Sequence, residues 1–198
     1  MNNKLSQIFD ARYQQHNHLF GNTPVDLVIK ATSILTKNKQ HNKTLRALDL
    51  GAGNGRNTIY LLKQGFYVTA VDISGEALKL LKKEAVLIEK EDFLTTFKGS
   101  VMDFLFEIDY DLILGIGLLH FLSKQQIDLL IQRSINHTNI LGLNVWIARM
   151  QQNHRNSLSF VFSKHILKEY YTHLEDWKIL HYEETNDRAS IISQKITP

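Results

Sequence analysis

Gly51, Gly53 and Gly55 alternate through Asp49-Leu50-Gly51-Ala52-Gly53-Asn54-Gly55-Arg56-Asn57, with an acid two residues before the first of them. Glycine has no Cβ, so such a loop takes left-handed backbone angles and lets a ligand lie against bare peptide. Ahead of it, Leu45, Ala47, Leu48 and Leu50 form the apolar run of a strand covered on both faces. Behind it, Asn57-Thr58-Ile59-Tyr60-Leu61-Leu62 continues as a helix whose first N–H groups point back at the loop. Strand, acid, loop and helix in that order predict a nucleotide-like ligand held by Asp49, Gly51, Ala52, Gly53, Gly55 and Asn57. The alternative is an ordinary glycine-rich turn.

The spacing separates ligand classes. A dinucleotide fingerprint places its third glycine at position 56, which here is Arg56. A carboxylate at Asp49 repels a pyrophosphate and suits a ligand that carries an ammonium group. Gly65-Phe66-Tyr67-Val68-Thr69-Ala70-Val71-Asp72 then reads as a turn and a second buried strand that ends in an acid. Asp72 lies about twenty residues beyond the loop, where an acid at a strand tip accepts both ribose hydroxyls. Ile73 is expected beside it on the same ligand. Alternatively Asp72 only ends the strand or caps the next helix, although Ser74 is the better cap.

The elements that must position these residues alternate between strand and helix. That order predicts a doubly wound α/β fold, one Rossmann-like domain over 1–198 with a mostly parallel seven-stranded sheet. Residues 1–40 form an N-terminal lid and helix, the helix announced by Thr23 as N-cap, Pro24 in its first position and Asp26 in its first turn. The core, 45–198, has strands near Leu45–Leu50, Tyr67–Val71, Phe93–Phe97 and Tyr110–Ile116, and a fifth through Leu143, Val145 and Ile147. Two closing strands follow near Lys178–Glu183 and Ala189–Ile196. Helices are expected over Asn54–Gln64, from Ser74 with Ala77, Leu78, Leu81 and Ala85 inward, from the capping box Ser123-Lys124-Gln125-Gln126, and around Ser163–Thr172.

Composition narrows the setting. The 198 residues suffice for one core. The absence of cysteine removes disulfides and thiolate metal sites and fits a cytoplasmic location. Nine histidines form no ligand pair on one helical face, so no metal is expected. No signal peptide and no membrane span is read in the sequence. The net charge of +3 comes from scattered lysines and arginines interleaved with acids, which argues against nucleic acid as a partner. A homodimer is the assembly left open.

The motif D-x-G-x-G-x-G at Asp49–Gly55 resembles the class I S-adenosylmethionine-dependent methyltransferases. Asp10-Ala11-Arg12-Tyr13 and Leu19-Phe20-Gly21-Asn22-Thr23-Pro24 are similar to the opening of small bacterial members, the tellurite-resistance methyltransferases and their relatives. Leu48 to Asp72, Gly142 to Met150, and Lys168 through Trp177 to Glu184 extend the resemblance over nearly the whole chain. It implies that S-adenosylmethionine is the cofactor, S-adenosylhomocysteine the product and a small molecule the methyl acceptor. It also implies adenine contacts at Ser100 and the Val101 N–H, backbone contacts at Gly115 and Ile116, and a lid that brings Tyr13 to the active site. Two departures stand out. Ser100 replaces the acid often found after the third strand, and a short turn at Glu184–Arg188 replaces an insertion bearing a His-Arg pair. Only Arg188 could stand in for that pair, which makes tellurite a doubtful acceptor.

Methyl transfer from a sulfonium is an in-line displacement in which alignment does most of the work, so it leaves little catalytic signature. The candidates are His120, in Leu118-Leu119-His120-Phe121-Leu122, and Arg149, at the end of the fifth strand, with Tyr13 from the lid. His120 as a packed histidine, Arg149 in a surface salt bridge and Tyr13 as an aromatic packed under the lid remain open beside these roles. A catalytically inactive cofactor-binding module is a further alternative. So is a nucleic-acid methyltransferase, although no Asn-Pro-Pro-Tyr-like motif follows the fourth strand. A nicotinamide-dependent oxidoreductase of short-chain type is a third reading, against which Arg56 and the absence of any Tyr-x-x-x-Lys pair argue.

Overall fold

The computed structural model describes residues 2–37, 44–150 and 163–197. Contacts divide the chain into two compact units, Met1–Leu105 and Phe106–Pro198. The first holds helices α1 (Asn2–Gln15) and α2 (Asp26–Lys37), strand β1 (Arg46–Leu50), helix α3 (Arg56–Lys63), β2 (Tyr67–Asp72), α4 (Gly75–Leu87) and β3 (Leu94–Lys98). The second holds β4 (Tyr110–Ile116), α5 (Lys124–Asn136), β5 (Thr138–Arg149), α6 (Ile166–Thr172), β6 (Trp177–Glu184) and β7 (Arg188–Lys195). The strands form a seven-stranded sheet in the order β3-β2-β1-β4-β5-β7-β6.

In the first unit β1, β2 and β3 run parallel, with Leu50 paired to Val71 and Asp72 to Lys98. That register brings the carboxyl ends of the three strands to one edge, and the loops that follow them share it. β1 is buried along Ala47–Leu50, as its unbroken apolar run requires. α4 turns Ala77, Leu78, Leu81 and Ala85 inward, and Leu78 and Leu81 close over Ala52 and Ala70. In the second unit β4 pairs parallel to β5, while β7 runs antiparallel to both β5 and β6. α5 starts with the expected capping box: Ser123 Oγ accepts from Gln126 N, and Gln126 Oε1 accepts from Ser123 N. Its Ile127, Leu130 and Ile131 are fully buried. Among the described residues no helix is long and apolar enough to cross a membrane.

The structure corrects one local reading and adds one element. α2 begins at Asp26, and the carbonyl of Val25 accepts the first helical bonds from Val28 and Ile29. Thr23 and Pro24 therefore lie outside the helix. The physical reason is the Asn57 side chain, whose Oδ1 takes the Val25 N–H that a cap at Thr23 would have had to satisfy. Residues 2–15, read only as lid, form the continuous helix α1.

Candidate cofactor site

Gly51, Gly53 and Gly55 all adopt positive φ, at 72°, 57° and 85°. The loop they form folds back on β2: Gly51 N and Ala52 N both donate to Val71 O, and Gly53 N donates to Asp72 Oδ2 at 2.8 Å. A Cβ on Gly53 would stand 2.5 Å from the Tyr13 hydroxyl, and one on Gly55 would stand 2.3 Å from Leu81 Cδ1. Both positions thus exclude a side chain twice over, by backbone angle and by space. Gly55 caps α3 in the left-handed conformation without any side-chain bond, and in the first turn of that helix the Thr58 N–H donates to the Asp49 carboxylate.

Asp72 stands at the tip of β2 with both oxygens oriented by backbone donors. Oδ2 accepts from Gly53 N, and Oδ1 accepts from Ser74 N at 2.8 Å. The Ile73 N–H donates to the same carboxylate, and an ionised carboxylate offers about four acceptor sites, so capacity for a ligand hydroxyl remains. Burial raises the Asp72 pKa against those hydrogen bonds. Asp49 sits beneath the loop at 1% exposure, and its Oδ2 accepts from Thr58 Oγ1 at 2.7 Å. Burial, with the Asp72 charge adding to it, pushes Asp49 up to about 6. A buried carboxyl so raised gains from a nearby cation, so the donor set fits a ribose joined to a positively charged group. Asn57, 5% exposed, is committed to Val25 N and thus to the entry of α2.

Tyr13, expected in a lid, is buried to 2% on α1. Burial and the Asp72 carboxylate raise its phenol, while the Asn54 backbone N–H donates to its oxygen. The carbonyl of Ile73 accepts from Ser6 Oγ at 2.9 Å. After β3, Ser100 is buried and its Oγ accepts from Met102 N at 3.2 Å, closing a turn that also buries Val101. The structure therefore gathers Tyr13, Asp49, the glycine loop, Asp72 and Ile73 around the carboxyl ends of β1 and β2, with Ser100 and Val101 following β3.

The second unit holds Gly115, Ile116, His120 and Arg149. Gly115 gives room to the Trp146 ring, which an added Cβ would meet at 2.2 Å. The indole N–H of Trp146 in turn donates to Tyr171 Oη at 2.7 Å. Ile116 ends β4 opposite Ile147. His120 lies in a 3-10 turn, Leu119–Phe121, with its ring 4.0 Å from that of Phe121. Its Nδ1 is buried and has no hydrogen-bond partner among the described residues. Burial first, and the Arg149 cation second, lower His120 to about 4, so the ring is neutral at physiological pH. Among the described residues no cluster of His, Cys, Asp and Glu could hold a metal ion.

Three residues that the sequence reading did not assign also shape the site. Asp10 Oδ1 accepts from Ser74 Oγ at 2.7 Å and from Glu76 N at 3.0 Å, and Ser6 reaches Ile73 from the same helix. Arg56 donates to Phe20 O at 2.7 Å, tying the segment before α2 to the loop. The available signal was the spacing of Ser6, Asp10 and Tyr13 at i, i+4 and i+7, a polar stripe on a helix otherwise unremarked.

Residues 16–190 match the family described as tellurite resistance protein TehB. Over 143 residues the chain is 32% identical to the "Probable S-adenosyl-L-methionine-dependent methyltransferase TehB" of Haemophilus influenzae, a match covering 70% of this chain and 48% of that protein. The chain thus spans about half the length of the curated relatives it matches. The crystal structure of TehB from Haemophilus influenzae superposes with a TM-score of 0.74 at 24% identity, covering 94% of this chain and 66% of that one. Magnesium protoporphyrin IX methyltransferase (ChlM) from Synechocystis PCC 6803, solved with bound SAH, gives 0.72 at 12% identity and covers 98% of this chain and all of that one. These two likenesses establish the methyltransferase fold, with the mostly parallel seven-stranded sheet expected from the order of elements.

Proposed function

The chain belongs to the tellurite resistance protein TehB family, and from that premise we propose that it transfers a methyl group from S-adenosylmethionine to a small-molecule acceptor, releasing S-adenosylhomocysteine. The observation that carries this reading is Asp72, fixed through both oxygens above a loop of three positive-φ glycines. In this reading Asp72 accepts the two ribose hydroxyls. The backbone of Gly51, Ala52, Gly53 and Gly55 receives the amino-acid portion, and Asp49 supplies negative charge beneath it. Ser100 and the Val101 N–H meet the adenine, with Ile73 against the ribose and Gly115 and Ile116 as further backbone contacts. Asn57 supports the loop through Val25.

The cofactor, when bound, supplies a methyl group already activated on a sulfonium. The chain's residues bind and orient the reactants, and alignment alone is worth about 7–11 kcal/mol. An acceptor that holds a proton also needs a base. His120, neutral and with an Nδ1 that has no partner among the described residues, is assigned that role. Arg149 is assigned to an anionic portion of the acceptor, and Tyr13 to the lid. The scattered charge favours a small acceptor over nucleic acid, and the lack of cysteine favours the cytoplasm. The whole chain is taken as one working domain, with 1–40 as its N-terminal lid and helix and 45–198 as its core.

Calorimetric titration with S-adenosylmethionine and, separately, NAD tests the assignment. Micromolar binding of the first and none of the second is expected; the reverse overturns it. A second reading, a cofactor-binding module without transfer, is favoured by Ser100, an uncharged group whose Oγ already accepts from Met102 N. S-adenosylhomocysteine formed with any acceptor, beginning with chalcogen oxyanions and small thiols, decides against that module.

A further inference from the structure

Ser6, Asp10 and Tyr13 lie on one face of α1, within about 60° of arc at 100° per residue. Each contacts a different backbone segment of the proposed cofactor site: Ser6 the Ile73 carbonyl, Asp10 the first turn of α4, and Tyr13 the loop at Gly53 and Asn54. The contacts join into a thread. From Asp10 Oδ1 it passes to Ser74 Oγ, from Ser74 N to Asp72 Oδ1, and from Asp72 Oδ2 to Gly53 N, where the Tyr13 hydroxyl stands over the glycine. It leaves α1 at Asp10 and returns to it one helical turn later.

Asp10 is not needed as the cap of α4, because Ser74 fills that position and accepts from Ala77 N at 3.1 Å. Its carboxylate adds a second acceptor at the same helix end, taking Glu76 N and the Ser74 hydroxyl proton. Burial works against the charge. The bonds from Ser74 and Glu76, with the Lys98 cation, nonetheless hold the Asp10 pKa below the ordinary carboxylate value. A charged group placed there does two things at once: it docks α1, and it fixes the hydroxyl of the residue whose N–H orients Asp72.

We propose that Asp10 is a positioning residue, a latch that holds α1 across the glycine loop and sets Asp72 through Ser74, so that it governs how long the cofactor stays bound. The proposal rests on the cofactor reading above. Its test compares wild type with Asp10→Ala, Asp10→Asn and, as a control for a lost helix cap elsewhere, Ser123→Ala. Hydrogen exchange is followed in the ligand-free proteins, and dissociation of S-adenosylhomocysteine by surface plasmon resonance. Asp10→Ala should speed exchange in α1 and at Glu76–Ala77 about tenfold and release S-adenosylhomocysteine about tenfold faster. Asp10→Asn, whose amide oxygen accepts the same two bonds, should recover most of both, and Ser123→Ala should change neither. Should Asp10→Ala fail to fold, Ser6→Ala carries the same expectation at about threefold. Dissociation within twofold of wild type overturns the proposal, as does an Asn variant no better than Ala. If wild type binds no S-adenosylhomocysteine while α1 exchange still rises in Asp10→Ala, the cofactor reading fails and the latch itself is supported.

Discussion

Asp49, which the proposed function sets beneath the cofactor, burdens the fold that holds it. Its carboxyl titrates near 3.8 when exposed and near 6 when buried here. The stability it contributes is present below the lower value and lost as pH rises through the upper one. A shift of that size corresponds to roughly 3 kcal/mol. Asp49→Asn keeps an oxygen for Thr58 and should melt about 6–12 °C above wild type at pH 8 when ligand-free, with no gain near pH 4. The same variant should bind S-adenosylmethionine at least tenfold more weakly, and calorimetry on both proteins checks the exchange of stability for affinity. His120 is shifted the opposite way. Lowered to about 4, its imidazole stays available as a base through the whole neutral range. If it takes the acceptor's proton, the acid limb of kcat/KM should fall between pH 4 and 5; a limb near 6.5 would assign the proton to another group. The types of these residues and their order along the chain were legible in the sequence. Their titration was not, because burial is a property of packing.

At the scale of elements, the glycine loop and α1 are built as a pair. Gly53 has a φ of 57°, and the Tyr13 hydroxyl lies 2.5 Å from where its Cβ would stand. Gly53→Ala should therefore weaken S-adenosylmethionine binding at least tenfold, since strain and a displaced Tyr13 act together. Adding Tyr13→Phe removes the clashing oxygen and should return part of the loss, which a double-mutant cycle by calorimetry would detect. The sequence announced this loop through its three glycines and announced the capping box of α5 through Ser123 and Gln126, because both depend on residues within a few positions of each other. It did not announce that α2 starts at Asp26. That boundary is decided by Asn57, more than thirty residues away, which takes the Val25 N–H.

For the whole molecule, the cofactor reading predicts a thermal signature. A ligand that binds only the folded state at a hundred times its dissociation constant adds about 2.7 kcal/mol, which for a chain of this length raises Tm by about 5–10 °C. S-adenosylhomocysteine should give that rise in a melting scan and NAD should give none. What the sequence by itself determined is local or periodic: the alternation of strands and helices, the G-x-G-x-G loop between two acids, and the excluded third glycine at Arg56. Apolar runs, caps and glycines act through their neighbours in the chain, so these features survive without coordinates. What only the tertiary structure decided is long-range. The antiparallel pairing of β5 with β7, the bonds from Ser74 to Asp10 and from Gly53 to Asp72, and the crowding of Trp146 that makes position 115 a glycine all join residues far apart in the chain. Such contacts form only when folding closes the intervening chain and removes water from both partners, and neither composition nor spacing records which pairs those will be.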